Sequence, residues 1–142
     1  MALTVTKAQV RALPGAIVRP VTLGEAASAG HGIYPNASSA YLKADADAAG
    51  KYRGCAILVN DSQGNGNTAA DFASGSDATA VFFGPVAGFS GMDPTKSVWV
   101  DTTAGGFTQT KPAGGGIFAS PIGYPIDANT LMVSPQPFDT TY

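Results

Sequence analysis

Reactive and charged residues are scarce in this sequence. Of 142 residues one is cysteine, Cys55, and one is histidine, His31. A single cysteine excludes an intrachain disulfide. Set between Gly54 and the apolar run Ala56-Ile57-Leu58-Val59, it reads as a small buried apolar residue. A cysteine nucleophile needs a base held beside it, and the one histidine lies in a Gly30-His31-Gly32 turn. Charged residues make up 13% of the chain, about half the usual ~25%. The 8 Lys and Arg are scattered and the net charge is −2, so no basic patch for nucleic acid is expected. No apolar run approaches the ~18 residues of a membrane span. No secretory signal stretch is visible either, so the expected site of synthesis and assembly is the cytoplasm.

Catalytic signatures are equally thin. The 10 acids mostly neighbour Gly, Ala, Ser or Pro, where turn formation explains them. Asp45-x-Asp47 opens like a calcium loop, but Ala56 stands where the bidentate Glu is needed, so no metal is expected. Gln63-Gly64-Asn65-Gly66-Asn67 lacks the Lys-Ser/Thr of a phosphate loop. Convergent titratable groups, the mark of an active site, are not apparent. The reading is of a protein that is not an enzyme and takes no cofactor.

Glycine and proline, by contrast, are plentiful: 18 and 10 residues. Together they stay below the ~25–30% of low-complexity disorder and suit a turn-rich fold. Short β-branched and aromatic runs alternate with Gly, Pro, Asn and Asp. The class expected is all-β: a small barrel or sandwich of short antiparallel strands. Ile17–Leu23 is the first strand, and Pro20 places it at an edge or bulge. Gly32–Pro35 and Ala40–Lys43 form a hairpin around Asn36–Ser39. Tyr52–Val59 reads as a buried strand. Thr79–Val86 places Phe82 and Phe83 on opposite faces, so one of them must meet a second layer or another subunit. Asp61–Asn67 is expected to be an exposed, mobile loop. Asp45–Gly50 is either one helical turn or a loop.

Three divisions follow: an arm over 1–14, a β-domain over 15–134 and a tail over 135–142. Thr6–Leu13 has the composition for two helical turns before Pro14-Gly15. Short isolated helices are marginal, so the segment is expected to be an arm ordered mainly by a neighbouring chain. A packed edge strand is the alternative. The tail, with Pro135 and Pro137, is either extended, docking Phe138 and Tyr142 onto a neighbour, or disordered. The halves also echo one another. Ile33-Tyr34-x-Asn36, Tyr41-Leu42 and Gly54-Cys55-Ala56-Ile57 follow the outline of Val98-Trp99-x-Asp101, Phe107-Thr108 and Gly123-Tyr124-Pro125-Ile126. Duplication and chance similarity of hairpins both fit.

The segment Gly88-Phe89-Ser90-Gly91-Met92-Asp93-Pro94, the run Val98-Trp99-Val100-Asp101, then Thr103-Ala104-Gly105-Gly106-Phe107-Thr108 and Ile122-Gly123-Tyr124-Pro125-Ile126 resemble a β-module of tailed-bacteriophage virion proteins. The resemblance is clearest over about residues 86–134 and weaker over about 15–60. It is similar to capsid decoration, or cement, proteins and to parts of tail fibres. It implies a homotrimer on the outer surface of the virion capsid that bridges neighbouring major capsid subunits. Contacts are expected at Leu3, Val5, Val10 and Leu13 of the arm, at Phe138 and Tyr142, and at Trp99 as an interface anchor or a core residue. The other reading is a receptor- or glycan-binding fibre module that stacks Tyr34, Tyr41 and Trp99 on sugar.

Overall fold

Side chains branched at Cβ or aromatic fit a pleated surface, and the Gly, Pro, Asn and Asp between them form the turns. In the computed structural model, which describes residues 3–47, 50–60 and 70–135, these runs become short strands. In chain order they are β1 (Thr4–Val5), β2 (Arg11–Ala12), β3 (Ile17–Thr22), β4 (Ala27–Ser28) and β5 (Gly32–Pro35). Then come β6 (Tyr41–Lys43), β7 (Ala56–Val59), β8 (Asp71–Phe72), β9 (Asp77–Ala87) and β10 (Phe89–Ser90). The last four are β11 (Val98–Val100), β12 (Phe107–Thr108), β13 (Pro121–Pro125) and β14 (Thr130–Val133). The fold is all-β, a curled antiparallel sheet that forms a half-barrel.

The main sheet runs β12-β11-β13-β14-β9-β7-β5-β6, and β2 and β3 also pair with β9. β9 is therefore the hub. Its first part pairs with β3 and β7, and its last part with β14 and β2. The change of partners falls at Gly84, whose φ is +115°. A Cβ there would come within 2.6 Å of the Ala16 Cα. Both conformation and space thus require glycine at this corner. A bulge precedes it: Ile17 pairs with Phe83 but Val18 with Val81. The extra residue, Phe82, packs edge-on against Tyr41, with ring centroids 6.1 Å apart.

The two ends of the sheet curl towards each other and join through backbone. Gly32 N–H donates to the Gly105 carbonyl at 3.0 Å, and Gly105 N–H donates to Ala44 at 2.7 Å. Ala46 N–H donates to the Asp101 carbonyl at 2.9 Å. The approach is close because glycine faces bulk across it. A Cβ on Gly32 would lie 2.6 Å from Phe107 Cζ, and one on Gly54 would lie 2.8 Å from Val100 Cγ2. The enclosed core contains Leu23, Ile33, Ile57, Leu58, Val81, Val98, Val100, Phe107, Ile122 and Leu131, all 1% exposed or less.

The N-terminal segment differs from the expected arm. β1 pairs with β10, and β2 pairs with the end of β9. Between them a single 3-10 turn, Lys7–Gln9, replaces the two helical turns expected. Val10 is extended and 0% exposed, and Asn60 N–H donates to its carbonyl at 2.8 Å. The cause is tertiary: Val10 fills the space above Gly88, where a Cβ would sit 2.6 Å from the Val10 Cα. Of the two readings, the packed strand is the one found: β1 joins β10 in a two-stranded sheet and β2 pairs with β9 of the main sheet, both within this chain.

Two halves of the chain share a strand order. In β6-β5-β7 and in β12-β11-β13 the first arm of a hairpin also pairs with a strand reached after a loop. Registers differ, since Ile33 faces Ala56 while Val98 faces Gly123. The loop expectation for Asp61–Asn67 and the tail residues Phe138 and Tyr142 lie outside the described residues.

Candidate interaction surface

Alternate residues of a strand point to opposite sides of its sheet. Val86, Leu131 and Val133 are 0% exposed and point into the core. Their sequence neighbours on β9 and β14 face outwards. Tyr124, Met132 and Pro85 are register partners across β13, β14 and β9, forming one outward row. Leu13 extends it, donating its N–H to the Pro85 carbonyl at 3.0 Å. A second row runs Ile126, Thr130, Ala87 and Arg11. Beyond the Gly84 corner, Ile17 and Phe83 form a further opposed pair.

The free face of an antiparallel sheet is normally polar. Here only Thr130 and Arg11 of those residues are polar. Ile17, Phe83, Tyr124 and Ile126 are about half exposed, at 55%, 48%, 52% and 51%. Tyr124 and Ile126 lie on one side of the Gly84 corner and Ile17 and Phe83 on the other, where the neighbouring Val18 is also exposed; exposed apolar residues gathered in this way mark a surface that something covers. Trp99 continues the same side on β11. It is half-buried between the inward Val98 and Val100, and the Lys111 ammonium stands 5.5 Å from its ring centroid.

The residues named from sequence therefore separate. Leu3 and Val5 pack on the core, and Val10 is part of it. Leu13 lies on the outer face and Trp99 beside it. The exposed members Ile17, Phe83, Tyr124 and Ile126 were not singled out as contacts. Their signal was present in the Phe82-Phe83 pair and in the spacing of Tyr124 and Ile126, but strand register was needed to place them together. Of the aromatics expected to stack on sugar, Tyr34 is 7% exposed and lacks a free face. Burial and, next, Glu25 raise its pKa.

A second feature is a cavity of about 460 Å³ between the N-terminal segment and the β11–β12 turn. Leu3, Val5 and Phe107 form its apolar wall, and Lys7, Ser28 and His31 its polar rim. Ser28 Oγ donates to Asp71 Oδ1 at 2.5 Å, and Lys7 Nζ pairs with the same carboxylate at 2.7 Å. His31 Nδ1 accepts the Ser28 N–H at 2.9 Å. A nucleophilic serine needs its proton directed at an imidazole. Here the Ser28 hydroxyl proton goes to carboxylate, and its backbone takes up the ring nitrogen. Burial first, and Lys43 second, lower the His31 pKa below its ordinary value. Burial pushes the Cys55 thiol up, against Arg53, so the thiol stays protonated. Among the described residues, no three His, Cys, Asp or Glu side chains converge as a metal ion would require. Asp45 instead closes a turn, its Oδ1 accepting the Asp47 N–H at 3.1 Å.

No protein-family profile matches the chain, and no curated protein matches it in sequence.

Proposed function

We propose that the protein is a structural component of a tailed-phage virion that binds the outside of the capsid and ties neighbouring major capsid subunits together. The observation that carries the reading is the uncovered apolar face built from Leu13, Ile17, Phe83, Met132, Tyr124 and Ile126. A face of this kind gains free energy when covered by protein, at roughly 25 cal/mol per Å² of apolar area. Repeated over many copies on one lattice, modest contacts add up to strong retention. The scarcity of charge and the turn roles of the acids fit adhesion rather than catalysis. Phe138 and Tyr142 remain proposed contacts on sequence grounds. Self-association belongs to the same reading, with a homotrimer implied by the resemblance.

The test is sedimentation of purified protein with expanded capsids that lack it. Saturable co-sedimentation supports the proposal. Failure to sediment, with retention on a host-surface polysaccharide instead, would move the protein to the fibre-module reading.

A further inference from the structure

We infer that the uncovered sheet face is closed by a second copy of this chain, packed face to face about a two-fold axis. The inference rests on reading the protein as adhesive, and it names the occupant of that same face.

Unlike charges stand at opposite ends of the apolar rows. Arg11 ends one row on β2, paired with Ala87. Ile126, just past β13 and donating its N–H to the Thr130 carbonyl, ends the other side, and Asp127 follows it in the β13–β14 turn. Three strand spacings separate the two ends, about 14 Å at ~4.8 Å per strand. Between them the face is neutral. Arg11 makes no ion pair among the described residues. The Asp127 carboxylate accepts the Asn129 N–H at 2.8 Å, which fixes the turn, and it also stands without a cation.

An isologous interface places each end of a patch against the opposite end of its copy. An axis between β9 and β14, passing near Pro85 and Met132, sets Arg11 of each copy beside Asp127 of the other. The same operation lays Tyr124 and Ile126 over the partner's β9 and β2 side. A single patch thus carries both halves of its own complement: an apolar centre and unlike charges at opposite ends. A rotation of this order makes a dimer, not the trimer that the resemblance implies. In the pair this face is taken up by the partner copy, so the pair meets the capsid through its remaining surfaces, and loss of pairing weakens lattice binding by removing one of two linked attachments.

The experiment is sedimentation velocity on the full chain, with circular dichroism on every variant. Wild type is expected to be a dimer at tens of micromolar. Phe83→Asp adds a charge on the outer face and is expected to weaken association at least tenfold with an unchanged spectrum. Tyr124→Asp, on another strand, repeats the test should Phe83→Asp not fold. Arg11→Glu and Asp127→Lys each place like charges at both edges and should each be monomeric. Mixed together, they form a pair in which both edge contacts are unlike again, so the mixture should recover the dimer.

A monomeric wild type, an unaffected Phe83→Asp oligomer, or a mixture that stays monomeric overturns the two-fold pairing. Parallel sedimentation with capsids keeps the two proposals apart. A monomeric wild type that binds capsids through this face removes the pairing alone. A dimer that ignores capsids removes the virion role alone.

Discussion

Ile17 and Phe83 stand directly opposite each other across β3 and β9, and both face solvent, at 55% and 48% exposure. Opposed apolar side chains on a strand pair usually help cover a core. This pair leaves about half of each side chain uncovered in its own chain. Polar replacements should therefore leave the fold almost untouched. Ile17→Thr and Phe83→Ser should each change unfolding free energy by no more than ~0.5 kcal/mol, as surface substitutions do. Both should weaken capsid co-sedimentation. Chemical denaturation beside the sedimentation assay checks the two halves of this expectation.

Phe107 and Gly32 behave as one unit, because the ring occupies the space a side chain at 32 would need. Phe107→Ala should cost about 3–5 kcal/mol. Gly32→Ala should also destabilise, since its Cβ would meet the ring at 2.6 Å. In the Phe107→Ala background that penalty should shrink or reverse. A double-mutant cycle from urea unfolding measures the coupling, expected at 0.5 kcal/mol or more.

Gly84 turns the corner of the hub strand at positive φ, against the Ala16 backbone. Gly84→Ala should cost about 2 kcal/mol or more. A thermal melt detects it. A melt identical to wild type would mean that β9 reaches its two sets of partners without this bend.

Acid should loosen the joint between the N-terminal cavity and the β11–β12 turn. A folded state that lowers the His31 pKa from its ordinary 6.5 favours the neutral ring, whereas the unfolded chain takes up a proton near that value. Stability is then full above pH ~7.5 and declines as pH falls through about 6.5. It levels off once the folded imidazole is charged too. His31→Asn retains an acceptor for the Ser28 N–H and should be flat over that window. The carboxyls of Asp71, Asp93 and Asp127 are held below their usual value of 3.8. Hydrogen bonds hold them there: Lys7 for Asp71, Thr95 for Asp93 and the Asn129 backbone for Asp127. They contribute a separate loss as pH drops below about 3.8. Urea titrations between pH 8 and 3 resolve both.

Deleting residues 1–12 should destabilise the β-domain and not merely remove an appendage. Val10 is fully buried and β2 continues the sheet. Val10→Ala alone should cost about 2 kcal/mol. Unchanged stability after the deletion would restore the separate arm.

Local chemistry made some elements legible in the sequence. The hairpin from Gly32 to Lys43 announces itself through Asn36, whose Oδ1 accepts the Ser38 and Ala40 N–H groups at 2.8 and 3.1 Å. Asp93-Pro94 likewise makes its turn, with Asp93 bonding Thr95. The all-β class followed from such punctuation. The N-terminal segment left two readings open, an arm or a packed edge strand, because its state depends on distant residues. Val10 is held by Gly88 and Asn60, and nothing near Val10 encodes either. The candidate surface was half legible. Phe82-Phe83 demanded a second layer, but joining Phe83 to Tyr124 and Leu13 requires the register of four strands.

The most direct test of an adhesive role on the capsid is a binding isotherm of the wild-type chain on expanded capsids stripped of decoration. The account expects saturation at a fixed number of copies per major capsid subunit, with Phe83→Asp losing most of that binding while still folded. Wild-type protein left wholly in the supernatant at every concentration would contradict it.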